Sequence, residues 1–120
     1  MSALLRLHYA PDNASLCVRM ALEALAIPFE TALVDRRRTA QRDAAYLALN
    51  PNGLIPALET PQGALFETGA ILNWLADTKP GTLLPAHDDP ARGTALTWLY
   101  WLSNTLHPAF RMLFYPDVYF

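Results

Sequence analysis

The first 34 residues change hydrophobic spacing twice, and that change restricts the fold more than any other feature of the chain. From Ala3 to Tyr9 the side chains alternate, with Leu5, Leu7 and Tyr9 on one face and Arg6 and His8 on the other. This is the period of a strand. Ala10-Pro11-Asp12-Asn13 is loop by residue type. Leu16, Met20 and the Ala24/Leu25 pair then form an apolar helix stripe, with Asn13 or Ser15 available as its cap. Pro28 ends that helix, because it has no N–H to donate and restricts the residue before it. Phe29 to Val34 reads as a second strand.

Asp35 to Thr39 is a charged turn holding three consecutive arginines, and Ala40 to Leu49 reads as a short helix stopped at Asn50-Pro51-Asn52-Gly53. Pro56–Glu59 and Ala64–Phe66 are short strands, and Thr60-Pro61-Gln62-Gly63 between them makes a hairpin. Thr68 to Asp77 is a helix, very apolar at Ile71, Leu72, Trp74 and Leu75. Lys79 to Pro90 contains Pro80, Gly81, Pro85 and Pro90 and is the one linker-like stretch. Pro90 suits the first turn of a final helix. The element order βαβαββα, then linker, then helix, predicts an α/β fold with a mixed sheet and helices on both faces. The expected division is 1–79, a linker at 80–89, and an all-helical region from 90 to 120.

Composition narrows the function. The chain has 120 residues, 9 Lys plus Arg against 11 Asp plus Glu, a net charge of −2 and 52% hydrophobic residues. Disorder needs the opposite balance. A nucleic-acid binder would show a basic excess. One cysteine, Cys17, leaves no disulfide framework and no cysteine zinc site. The His and Asp residues have no metal-ligand spacing. The N-terminus carries Arg6 inside a short apolar run and does not read as a signal peptide, and no apolar run is long enough to span a bilayer. A cytoplasmic domain with neither a nucleic-acid nor a membrane partner is expected. Eight of the 13 aromatic residues follow Gly93, where Arg111 and Asp117 are the formal charges. Such a helix is normally covered, so the C-terminus reads as the start of a helical region cut short or completed by a partner.

The most informative run is Asn50-Pro51-Asn52-Gly53-Leu54-Ile55-Pro56-Ala57-Leu58, followed by Glu67-Thr68 at the start of a helix. With the element order, this resembles the thioredoxin-like N-terminal domain of the soluble glutathione transferases. The resemblance covers residues 3 to 79 and continues into what looks like the first helix of that family's helical domain. Tyr9-Ala10-Pro11-Asp12-Asn13-Ala14-Ser15-Leu16 looks most like the bacterial beta class, whose pattern is Y-x-P-x-x-C-S-L.

The resemblance implies a binding site. In the family, the bond before the proline at Pro56 is cis, and the backbone N–H and C=O of Ile55 are open to pair with the extended peptide of glutathione, as in strand addition. Glu67 then faces the γ-glutamyl ammonium, while the Thr68 hydroxyl and the free N–H groups of the helix start hold its carboxylate. Taken singly, Pro56 is a loop proline and Thr68 a plain helix cap.

The glutathione thiol needs a hydrogen-bond donor to lower its pKa. The beta-class cysteine is replaced by Ala14, which removes a mixed disulfide at that position. Ser15 is the first choice for the donor and Asn13 the second, with Ser15 as a mere helix cap the plainer reading. Cys17 reads as a buried spectator and Tyr9 as core. Leu54 stands where the family often has Lys or Gln for the glycyl carboxylate. That charge could come from Arg36, Arg37 or Arg38, of which Arg38 matches best, or the three form only a solvated run. Leu106-His107-Pro108-Ala109-Phe110 resembles a beta-class segment whose histidine faces the active site, so His107 could contact glutathione or the second substrate, or bond a carbonyl.

The expected activity is therefore conjugation: the thiolate of bound glutathione, the co-substrate, attacks a small electrophile in a homodimer. Trp98, Trp101 and His107 would build the electrophile pocket. Two rivals stand beside it: glutathione-dependent disulfide or peroxide reduction or isomerisation on the same fold, and a non-catalytic interaction domain.

Overall fold

The computed structural model describes residues 4–120; the expectations for Met1 to Ala3 lie outside the described residues. Four strands form one sheet: β1 (Leu5–Tyr9), β2 (Phe29–Leu33), β3 (Ala57–Thr60) and β4 (Gly63–Phe66). Their order is β2-β1-β3-β4. β1 and β2 are parallel with Leu7 opposite Thr31, so the chain between them must cross over, and α1 (Ser15–Ala24) does so. β3 runs antiparallel to both β1 and β4. The β3–β4 hairpin closes on Pro61 and Gln62, with Thr60 paired to Gly63. This is the mixed sheet of the thioredoxin-like fold.

Period-two alternation sorts the strands between two faces. Leu5, Leu7 and Leu58 point to the main core, where they meet Val18, Leu22 and Leu25 of the first crossover and Ile71 and Leu75 of α3 (Thr68–Thr78). Leu7, Leu22, Leu58, Ile71 and Leu75 are fully buried, and each contributes about 1.5–3 kcal/mol of burial. On the opposite face Ala57 and Val34 pack with Tyr46 of α2 (Ala44–Leu47). His8 and Arg6 share that second face: His8 Nε2 lies 2.7 Å from Glu59 Oε2, and Arg6 pairs with Glu30 at 3.2 Å.

The helix expected over Ala40–Leu49 is smaller than the sequence suggests. Arg36–Arg38 and Ala40–Arg42 are 3₁₀ turns, and only Ala44–Leu47 is α-helical. Thr39, at φ 52°, sits in the left-handed region and interrupts the run. Asp35 nucleates the first turn by accepting the Arg37 N–H at 3.0 Å, which the three arginines alone did not reveal.

After α3 the chain is irregular until α4 (Arg92–Trp101). Arg92 anchors this crossing. It donates to the Pro85 carbonyl at 2.9 Å and approaches Asp77 at 3.3 Å and Asn73 at 3.5 Å, both on α3. The expected single last helix is two, α4 and α5 (His107–Phe114), joined by a π-helical turn at Leu102–Leu106, with α6 (Pro116–Tyr119) beyond. Pro108 explains the π turn. It cannot donate to the carbonyl four residues back and its ring clashes there, so the ladder widens and His107 N–H bonds Leu102 O instead.

Candidate glutathione site

The loop before β3 is built by Asn50. Its side chain is buried and does three things: Nδ2 donates to Leu54 O at 2.9 Å, Oδ1 accepts from Asn52 N at 3.0 Å, and its carbonyl accepts from Gly53 N at 3.0 Å. Tyr46 adds a second bond to the same carbonyl, its hydroxyl donating to Leu54 O at 2.5 Å. Burial pushes the Tyr46 phenol up to about 12. Gly53 must be glycine, because φ is +65° and an added Cβ would lie 3.2 Å from the Gln41 carbonyl. With Leu54 O doubly held, the chain emerges at Ile55, and the Ile55–Pro56 bond is cis, as the motif predicts. Among the described residues, neither the N–H nor the C=O of Ile55 has a partner.

Glu67 and Thr68 open α3 beside this edge. Glu67 has φ 72° and ψ 114°, unusual for a residue with a Cβ. Such conformations cost of order 1–3 kcal/mol and concentrate at functional sites. No side chain caps α3. Its first N–H groups are thus open to a ligand anion, whose charge the helix dipole favours.

A cavity of about 920 Å³ joins these groups. Ile55, Pro56, Glu67 and Thr68 line it on the sheet side, and His107 lines it from α5. The structure thus brings together five of the eight residues singled out from the sequence. Asn13, Ser15 and Arg38 do not line it. Ser15 is buried, its hydroxyl donating to Ala10 O at 3.2 Å and accepting from Ala10 N at 3.3 Å. Asn13 Oδ1 accepts the Ser15 N–H at 2.9 Å, which makes Asn13 the residue that caps the helix start. Arg38 is exposed on its 3₁₀ turn, whereas its neighbour Arg36 bonds the Pro11 carbonyl at 2.7 Å and ties that turn to the α1 loop.

Cys17 is not the buried spectator expected. It is exposed and lines the cavity, its thiol donating to Ala14 O at 3.0 Å. The loss of water around it still raises its pKa, with backbone hydrogen bonds acting in the opposite direction. Burial at the third helical position follows from which face meets the core, and here Val18 takes that face. Trp98 and Trp101 form an edge-to-face pair but do not line the cavity, so the expected tryptophan pocket is replaced by Leu99, Tyr100, Leu102 and Phe110. The reason is the π turn. One extra residue in a turn rotates everything after it by about 100°, one residue's worth of helical twist. This turn lies against α3 at Gly69, where a Cβ would sit 3.2 Å from Ser103 Oγ. Asn50, Tyr46 and the π turn are the parts sequence reasoning missed; Pro108 was the available signal for the last.

The comparisons agree with this geometry. Residues 14–78 match the model of the glutathione S-transferase N-terminal domain. A thioredoxin-like sheet whose cis-proline edge faces the start of α3 is the glutathione-binding half of that class. The chain belongs to the glutathione S-transferase family. Glutathione S-transferase GST-4.5 of Xanthomonas campestris is 38% identical over 96% of this chain and 56% of its own length. The disulfide-bond oxidoreductase YfcG of Escherichia coli is 32% identical over 85% of this chain and 50% of its own length. Relatives named as isomerases also match. A glutathione transferase homologue from Sulfitobacter, solved with bound glutathione, superposes with a TM-score of 0.81 at 35% identity, over 90% of this chain and 52% of that one. The chain thus spans about half the length of these relatives. Among the described residues no helix is long and apolar enough to cross a membrane, and no group of three metal-ligating side chains occurs.

Proposed function

We propose that this domain binds glutathione across Ile55, Pro56, Glu67 and Thr68 and activates its thiol for attack on a small electrophile. The observation that carries the reading is the juxtaposition of two open backbone sites on one cavity: the unpaired Ile55 edge and the uncapped start of α3. An extended γ-glutamyl peptide needs both, one to pair its backbone and one to hold its terminal carboxylate. Glu67 supplies the charge opposite the ammonium. His107 stands across the cavity, beside the thiol or the second substrate. Arg38, or Arg36 on the same turn, serves the glycyl carboxylate.

For the thiolate donor, what supports Asn13 over Ser15 is bonding. The Ser15 hydroxyl donates to Ala10, whereas Asn13 uses only its oxygen, on Ser15 N. Its amide N–H₂ is left to stabilise a thiolate, which favours ionisation near neutral pH. The enzyme would act in the cytoplasm as a homodimer. Calorimetry with glutathione, followed by turnover of an aryl halide, tests the reading: binding with turnover supports it, binding without turnover leaves an interaction domain, and no binding overturns it.

A second reading has its own observation. Cys17 faces the same cavity, so a protein thiol stands beside the glutathione cradle despite Ala14. Glutathione-dependent disulfide reduction would use it; loss of disulfide reductase turnover in Cys17→Ser separates that chemistry from conjugation.

A further inference from the structure

The cavity holds a cation that the glutathione reading does not use. Arg111 lines it from α5, one turn beyond His107 and on the same helix face. Its Nε donates to the Tyr119 hydroxyl at 2.8 Å, and its guanidinium lies 5.4 Å and 5.9 Å from the Tyr115 and Tyr119 ring centres. The side chain is therefore held in place on one edge and one face. Its two terminal nitrogens make no hydrogen bond, and no carboxylate lies within 4.0 Å of it, among the described residues. The other charges on the cavity are accounted for. Asp77 pairs with Arg92 at 3.3 Å, and Glu67 stands at the γ-glutamyl end of the site. An immobilised guanidinium with its fork open is a carboxylate receptor, because the two parallel N–H groups match the two carboxylate oxygens. Leu102, Leu106 and Phe110 line the same region with apolar surface. The π turn belongs to this arrangement: the added rotation places His107 and Arg111 on the cavity wall together with Leu99 and Ser103.

We infer that Arg111 selects electrophiles that carry a carboxylate on a flat apolar body. The inference rests on the glutathione reading above and names its second substrate class. In the reaction the glutathione sulfur forms a bond to the electrophilic carbon and the leaving group departs with its electron pair. For an aryl chloride that is chloride, and the thiol proton passes to solvent. Arg111 binds the carboxylate remote from the reacting carbon and orients the ring against the thiolate.

A chlorodinitrobenzoate and its methyl ester share the reacting carbon and differ in charge. Turnover of each by the full chain with glutathione is divided by its uncatalysed rate, which removes the difference in intrinsic reactivity. The expected result is a preference for the carboxylate of about tenfold or more, the range of a charged hydrogen bond. Arg111→Gln abolishes the preference through KM and leaves the ester rate unchanged; Arg111→Lys keeps part of it. Glutathione affinity, read by calorimetry, is the same in all three. No carboxylate preference in the wild type overturns the inference while glutathione binding still stands. Weakened glutathione binding in Arg111→Gln also overturns it, by assigning Arg111 to the glycyl carboxylate. Absence of glutathione binding in the wild type sinks the underlying reading instead. Should the variants not fold, competition by dinitrobenzoate and its methyl ester against wild-type turnover decides the matter: equal inhibition contradicts the inference.

Discussion

The sheet region and the helices that follow it solve burial in opposite ways. Every buried side chain among the described residues lies at or before Ala76. From Arg92 onward none is buried, and Trp98, Leu113 and Phe114 are 59%, 68% and 68% exposed. The first region closes its own core from two strand faces and two helices. The second lays one helix face over the cavity and turns the rest outward. An apolar surface of that extent calls for cover by a partner subunit or by further helices. Stability therefore lives in the first region, whereas the second contributes shape to the electrophile side of the cavity.

The largest expected effect probes that division. Leu58→Ala should cost about 2–5 kcal/mol in urea unfolding, because it empties a fully buried position. Leu113→Ala should stay within about 0.5 kcal/mol. Comparable losses at the two positions would break the contrast. Light scattering with an apolar dye examines the same contrast from outside: a monomer that binds no dye would show that the exposed helices need no cover.

Within the sheet region, Glu67→Ala should weaken glutathione binding by about 1.5–3 kcal/mol, the range for a charged hydrogen bond. Unchanged calorimetry would remove Glu67 from the site. Asn50→Ala should cost about 1–3 kcal/mol of stability by leaving the Asn52 N–H unpaired and removing one of the two bonds to Leu54 O. It should also weaken glutathione binding through the released Ile55 edge; denaturation and calorimetry on one sample give both values. A smaller effect separates the two α1 residues. Asn13→Ala should raise the pKa of bound glutathione thiol, followed by its ultraviolet absorbance against pH, with affinity nearly intact. Ser15→Ala should lower stability by loosening the Ala10 turn and leave that pKa in place. The reverse outcome would return the donor role to Ser15.

The smallest effect is alkaline. Tyr46 is protonated in the fold up to about 12, above the ordinary phenol value near 10. Its contribution is fully present below the unfolded pKa and declines as pH rises from there through 12. Unfolding free energy should fall with pH in that window, and Tyr46→Phe should flatten the decline.

The same contrast explains what the sequence made legible. Strand order and the glutathione cradle were readable because alternation, Pro56 and the Glu67-Thr68 pair are local signals. The roles of Asn50 and Tyr46 were not, since each depends on a carbonyl, Leu54 O, brought to it by the fold. Cys17 was misjudged because a helix shows its apolar face only once its neighbours are known. In the last helix, a stripe drawn at α-helical spacing chose Trp98, whereas Pro108 forces a π turn and the cavity face runs through Leu99, Ser103 and His107.

The central claim is that glutathione lies along the Ile55 edge with its γ-glutamyl end at the start of α3. A crystal structure of the protein soaked with glutathione tests it most directly. The account predicts density for an extended tripeptide with two hydrogen bonds to the Ile55 backbone and its terminal carboxylate at Thr68. Glutathione bound elsewhere, or a fully occupied site with the Ile55 N–H and C=O still unpaired, would contradict it.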